Sequence, residues 1–125
     1  MTSCLRGDAF LLFYDPVASR KNSYDKWEGD QADGSFWYVG QGRSGDQSLT
    51  KSNLRLLEAA TVGRPIHFFR RPEIGVPRSK GNPYKYIGVV ELGIPQYMER
   101  MAPGMDGHQR MVLIFNLRMI SEDLA

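Results

Sequence analysis

Residues 38–53, YVGQGRSGDQSLTKSN, constrain this chain more than any other stretch. The aromatic pair Trp37 and Tyr38 favours an extended strand. Three glycines follow closely, Gly40, Gly42 and Gly45. Asp46, Gln47, Ser48 and Thr50 then lead into Asn53-Leu54-Arg55-Leu56-Leu57-Glu58-Ala59-Ala60. The order predicts a strand, a tight turn and a helix start. Glycine admits positive φ and lets another backbone come close. Asp, Ser, Thr and Asn are the residues that cap helix N-termini. The unpaired N–H groups at such a start suit an anion such as phosphate. A plain turn between a core strand and a surface helix has the same composition.

At 125 residues the chain is one domain, long enough to bury a core. Its net charge of +2 is mildly basic, which leaves room for a local basic face but not for a histone-like tail. The single cysteine, Cys4, excludes an internal disulfide framework and a cysteine-rich zinc site. It fits a reducing, cytoplasmic compartment. The first residues lack the pattern of a secretory signal, and no apolar run approaches the ~20 residues of a membrane span.

Residues 9–14 are a short apolar run stopped by Asp15-Pro16, which predicts a buried strand. Residues 20–34 form a polar segment carrying Arg20, Lys21, Tyr24, Asp25, Trp27, Glu28, Asp30 and Asp33. An exposed Tyr-Asp-x-Trp cluster suits base stacking and polar recognition, although most such segments are solvated loops. Residues 53–60 predict a helix with Leu54, Leu57 and Ala60 on its apolar face and Lys51, Arg55 and Glu58 outward, ended by Gly63. Residues 65–69 predict a strand in which His67 lacks a partner at ligand spacing, so it reads as a packed or edge histidine. Residues 70–83, RRPEIGVPRSKGNP, predict a basic hairpin loop suited to tracking phosphates. Residues 84–92 predict a strand broken by Pro95, and Met98, Met101 and Met105 follow as core filler or a contact lip. The near-continuous apolar run at 110–118 predicts a strand buried on both faces. Several antiparallel strands with one central helix indicate an α+β, barrel-like domain.

Tyr38-Val39-Gly40-Gln41-Gly42, then Gly45-Asp46-Gln47-x-Leu49, then Asn53 resembles the signature of the SRA domain family, the readers of modified cytosine in DNA. The resemblance extends upstream to Ser23-Tyr24-Asp25 and Asp33-Gly34. Downstream it takes in Gly63-Arg64-Pro65-Ile66-His67, Tyr84-Lys85-Tyr86-Ile87-Gly88 and the block at 110–117, so it covers residues 23–120. It is nearest to the short bacterial SRA-like domains that accompany HNH nucleases in modification-dependent restriction. It implies a curved, twisted, mostly antiparallel β-barrel of the PUA-like kind with one or two flanking helices. It also implies a nucleoid-associated bacterial protein whose partner is double-stranded DNA carrying 5-methylcytosine or its hydroxymethyl form, the base being flipped into an aromatic pocket.

By the same resemblance Tyr24 and Tyr38 would sandwich the base, and Asp25 or Asp30 would accept from its exocyclic amine. Val39 stands where the family usually has threonine, which keeps a methyl surface and loses a hydrogen bond. Gly40 completes the pocket. Gln41 and Arg43 would reach a groove, while Lys51, Arg55, Arg70, Arg71, Arg78 and Lys80 would hold the backbone. No cofactor or metal is expected. His67 and His108 lie on separate elements, and neither a nucleophile elbow nor a phosphate loop is present, so any cleavage would belong to a nuclease domain or subunit. Three other readings compete: a PUA-like RNA-binding domain, a general DNA-binding module that flips nothing, and a partner-binding module using the Met-rich segment.

Overall fold

A computed structural model describes residues 2–21, 24, 26–42, 45–72, 84–104 and 107–120. Strands β1 (Thr2–Arg6) and β2 (Ala9–Tyr14) form a hairpin through Gly7, whose φ of 59° is left-handed. Helix α1 (Pro16–Lys21) starts at a proline, and the Asp15 carboxylate caps it by accepting from Val17 N at 2.9 Å. Then come β3 (Gly29–Asp30), β4 (Phe36–Val39), α2 (Lys51–Val62), β5 (Ile66–Arg70), β6 (Lys85–Pro103) and β7 (Gln109–Met119). The seven strands make one sheet in the order β1-β2-β5-β6-β7-β4-β3. Every neighbouring pair is antiparallel except β2 with β5.

The sheet curls about a core built from Phe10 and Leu12 of β2, Phe36 and Tyr38 of β4, Ile66 and Phe68 of β5, and Leu113, Phe115 and Leu117 of β7. Leu56 and Ala59 of α2 complete it. Curling brings β4 against β2. There the Tyr38 hydroxyl donates to the Phe13 carbonyl, and the Tyr14 and Phe36 rings meet edge-on with centroids 4.8 Å apart. Among the described residues no ladder joins β2 to β4. The expected curved, mostly antiparallel sheet with flanking helices is present, but side chains hold the seam and backbone pairing does not close it into a barrel.

A second core lies on the other face of β4 and β7, where Tyr24, Val39, Ala102, Val112 and Ile114 pack together. Strand alternation sends Tyr38 to the first core and Val39 to the second.

The predicted strand at 9–14, the αL glycine cap at Gly63 and the buried run in β7 are all found. Two expectations are corrected. The buried face of α2 is Asn53, Leu56 and Ala59, and Leu54 is exposed. The helix is turned because Asn53 points inward to bind the glycine turn. Strand β6 does not stop at Pro95. Its pairing jumps from Leu92↔Leu117 to Tyr97↔Phe115, so residues 93–96 bulge opposite Asn116 alone. Asn116 Nδ2 donates to the Pro95 carbonyl at 3.1 Å, and a Cβ at Gly93 would lie 2.6 Å from that nitrogen. Met98 and Met101 thus lie in β6, Met98 packed on the second core and Met101 exposed, while Met105 lies outside the described residues.

Candidate nucleic-acid interface

The glycine turn is held by three polar side chains that ligate backbone. Asn53 Oδ1 accepts from Gln41 N at 2.6 Å, while its Nδ2 donates to the carbonyls of Gln41 (3.0 Å) and Ser48 (2.9 Å). Gln47 is buried; its Nε2 donates to Gly40 O at 2.8 Å and Gly42 O at 3.1 Å, and its Oε1 accepts from Leu113 N at 2.8 Å. Asp46 Oδ1 accepts from Met111 N at 2.8 Å. The Asp-Gln pair therefore fastens the turn to β7, and the asparagine fastens it to α2. Gly40 is required by close approach: a Cβ there would lie 2.8 Å from Asn53 Oδ1 and 3.0 Å from Gln47 Oε1. The turn and the start of α2 enclose a small cavity of about 270 Å³ bordered by Gln41, Asp46, Thr50 and Lys51.

A larger cleft, of about 720 Å³, opens beside the seam where β2, β5 and β6 come together with β3. Tyr14, Glu28, Asp30 and Ile87 line it together with four cations, Arg20, Arg70, Arg71 and Lys85. Glu28 Oε2 accepts from Val39 N at 2.9 Å. Burial pushes the Glu28 carboxyl above its ordinary range; the Ser19 hydroxyl and the Val39 N–H pull the other way without reversing it. Arg70 grips Asp30 with both nitrogens at 3.0 Å, and its guanidinium stands 4.9 Å from the Phe36 ring centre and 5.6 Å from that of Tyr14. Arg71 pairs with Asp15 at 3.4 Å, both side chains being buried. The cleft thus combines an aromatic ring, that of Tyr14, with carboxylate acceptors and cations, the three functional types that a nucleotide calls for.

The structure gathers Asp30, Arg70 and Arg71 in this cleft and places Gln41 and Lys51 at the small cavity. Arg55 is exposed on α2 and borders neither. Tyr38 is 2 % exposed in the first core, and Tyr24 is 7 % exposed in the second. They lie on opposite faces of β4 and form no sandwich, because strand alternation and the bond to Phe13 hold Tyr38 inward. The Val39 side chain is fully buried and offers no methyl surface; its N–H is what serves Glu28. Arg71 is an internal ion-pair partner rather than an open phosphate ligand. Asp25, Arg43, Arg78 and Lys80 lie outside the described residues.

Sequence reasoning missed Glu28, Tyr14 and Lys85 as site residues. No sequence signal marks Glu28, because it is the pairing of Gly29 with Trp37 that brings its carboxylate to the end of β4. Among the described residues no group of side chains could hold a metal ion, and no helix is long and apolar enough to cross a membrane.

A curled, mostly antiparallel sheet with a cleft of aromatic, acidic and basic side chains at its seam defines a small α+β domain of the SRA kind. The sequence model for the SRA domain of ScoMcrA-like proteins matches residues 4–125, and the chain belongs to that family. Among solved structures it is similar to the sulfur binding domain and SRA domain of ScoMcrA complexed with phosphorothioated DNA. That match has 25% identity and a TM-score of 0.60 over 90% of this chain and 31% of that one. It also resembles the type IV phosphorothioation-dependent restriction endonuclease ScoMcrA, at 24% identity and a TM-score of 0.64, covering 90% of this chain and 20% of that one. The SUVH5 SRA domain in complex with methylated CHH DNA shares the fold at 21% identity and a TM-score of 0.61, over 88% of this chain and 62% of that one. The chain therefore spans less than two thirds of each of these. No curated protein sequence matches it.

Proposed function

We propose that this domain binds duplex DNA carrying modified cytosine, 5-methylcytosine or its hydroxymethyl form, and receives the flipped base in the cleft beside the seam. The observation that carries the reading is the pairing of Glu28 with Val39 N at the floor of a cleft otherwise rich in cations. One carboxylate oxygen accepts from the Val39 backbone, and in this reading the carboxylate also accepts from the exocyclic amine of cytosine. Tyr14 supplies a flat surface for the ring. Tyr24, Tyr38, Val39 and Gly40 act as scaffold beneath these groups. Arg20, Arg70 and Lys85 at the mouth, with Gln41, Lys51 and Arg55 around α2, hold the DNA backbone. Any cleavage belongs to a nuclease domain or subunit.

Flipping costs a few kcal/mol of unstacking, which contacts in the cleft must offset. A single buried methyl contributes about 0.8 kcal/mol, so preference for 5-methylcytosine over cytosine should be about fourfold. The test is fluorescence anisotropy at two salt concentrations. The duplexes are identical in sequence and carry cytosine, 5-methylcytosine, 5-hydroxymethylcytosine or a phosphorothioate linkage, with an RNA duplex beside them. A cytosine-modification preference that persists at the higher salt supports the proposal. Equal affinity for every DNA leaves a general DNA-binding module, preference for the phosphorothioate moves recognition to the backbone, and tighter RNA binding overturns the assignment.

A further inference from the structure

Arg110, the second residue of β7, lies on the face that carries Val112 and Ile114, where alternation calls for an apolar side chain. It is 4 % exposed. The ion pairs among the described residues, Arg70 with Asp30 and Arg71 with Asp15, leave it out. Its Nη1 donates instead to the carbonyls of Gly42 at 2.7 Å and Gly45 at 3.2 Å, and its Nη2 to the Tyr24 hydroxyl at 2.5 Å. The Tyr24 hydroxyl donates to Gly42 O at 3.2 Å, so that carbonyl accepts from Tyr24, Gln47 and Arg110 together. Arg110 Nε stays buried without a partner.

A buried cation with no carboxylate partner among the described residues and one donor unmet burdens a fold; an apolar side chain would sit next to Val112 at smaller cost. What the guanidinium achieves is linkage. Gly42 borders the small cavity with Gln41 and Lys51. Tyr24 heads the segment that ends at Glu28 in the large cleft, and its N–H donates to the Ser19 carbonyl. One planar fork joins the two features, which a lysine's single ammonium cannot do in the same geometry.

We propose that Arg110 is a positioning residue that fixes the glycine turn relative to the segment from Tyr24 to Glu28, so that backbone contact and base reading operate as one site. This rests on the proposed DNA-binding function. Being buried, Arg110 contributes no phosphate contact of its own.

The test compares Arg110→Met and Arg110→Lys with the unaltered chain in two assays. In the free protein, hydrogen exchange should rise at Tyr24 and Trp27 and at Gln47 together, by about tenfold, the equivalent of one hydrogen bond, while β5 is unchanged. In DNA binding, the ratio of affinities for 5-methylcytosine and unmodified duplexes should fall toward one in both variants, with the salt slope retained. A salt slope shallower by about one unit, with equal losses on both duplexes, would make Arg110 a phosphate ligand and overturn the proposal. Exchange rising in only one of the two segments, or a lowered melting temperature with the affinity ratio intact, would overturn it as well. If the unaltered chain shows no preference between the duplexes, the DNA-reading proposal fails, and the exchange pattern alone decides the role of Arg110.

Discussion

Replacing Glu28 by glutamine should move stability and binding in opposite directions. The Glu28 carboxyl is held above its ordinary range chiefly by burial. A carboxyl whose folded pKa is raised stabilises the fold below its unfolded value, and that contribution is lost as pH rises through the folded value. Wherever the group is ionised, its partial burial is therefore a cost. Glutamine keeps an oxygen for Val39 N, the contact seen at 2.9 Å, and removes the charge. Glu28→Gln should be more stable than the unaltered chain at pH 7, and the gain should vanish below the reference value of 4.5. Binding should suffer, because the remaining amide nitrogen cannot accept from cytosine's amine. Loss of one hydrogen bond to a charged group is about 1.5–3 kcal/mol, or about 10- to 150-fold in affinity for the modified duplex. Urea denaturation between pH 4 and 8 and anisotropy on the 5-methylcytosine duplex measure the two sides. Stability unchanged or lowered at pH 7, or affinity for the modified duplex intact, refutes the role assigned to Glu28.

Asn53→Ala removes three hydrogen bonds from the glycine turn and should destabilise the domain by about 3 kcal/mol in urea denaturation. Gly40→Ala drives a Cβ into the same pinned Asn53 and Gln47 side chains, and a loss of about 1–3 kcal/mol is expected from the midpoint shift. Tyr38→Phe deletes only the hydroxyl that reaches Phe13, with a loss of about 1 kcal/mol and a larger proportional loss on the modified duplex. Arg70→Gln should make the salt dependence of DNA binding shallower by about 0.9 in log–log slope if Arg70 takes one phosphate.

Much of this is legible in the sequence, and the failures share one physical origin. The apolar run at 9–14 and the strand–turn–helix at 37–62 were readable because periodicity and glycine placement are local. The face of α2 was not, since it is set by Asn53 reaching across the turn to Gln41 and Ser48. Pro95 looked like a stop because a bulge depends on the partner strand, here on Asn116. Strand β1 escaped notice because an edge strand need not alternate. The tyrosine sandwich failed because a motif records spacing along the chain, whereas the face on which Tyr38 lies is fixed by pairing with Phe115. Glu28 was passed over for the acids nearest Tyr24 in sequence; its importance comes from a two-residue strand that only the paired sheet makes visible.

The seam between β2 and β4 bears on how fast the domain can work. A cleft cut through a strand ladder could widen only by local unfolding, since neighbouring backbone bonds break cooperatively. Here, among the described residues, side-chain contacts such as the Tyr38 hydroxyl, the Tyr14–Phe36 rings and the Arg70–Asp30 pair span the gap. Parting them asks for side-chain rotation and loop displacement, events of nanoseconds to microseconds. If the proposed base reading holds, admission to the cleft need not wait on the sheet, and the residence time on DNA would then be set by the contacts made inside.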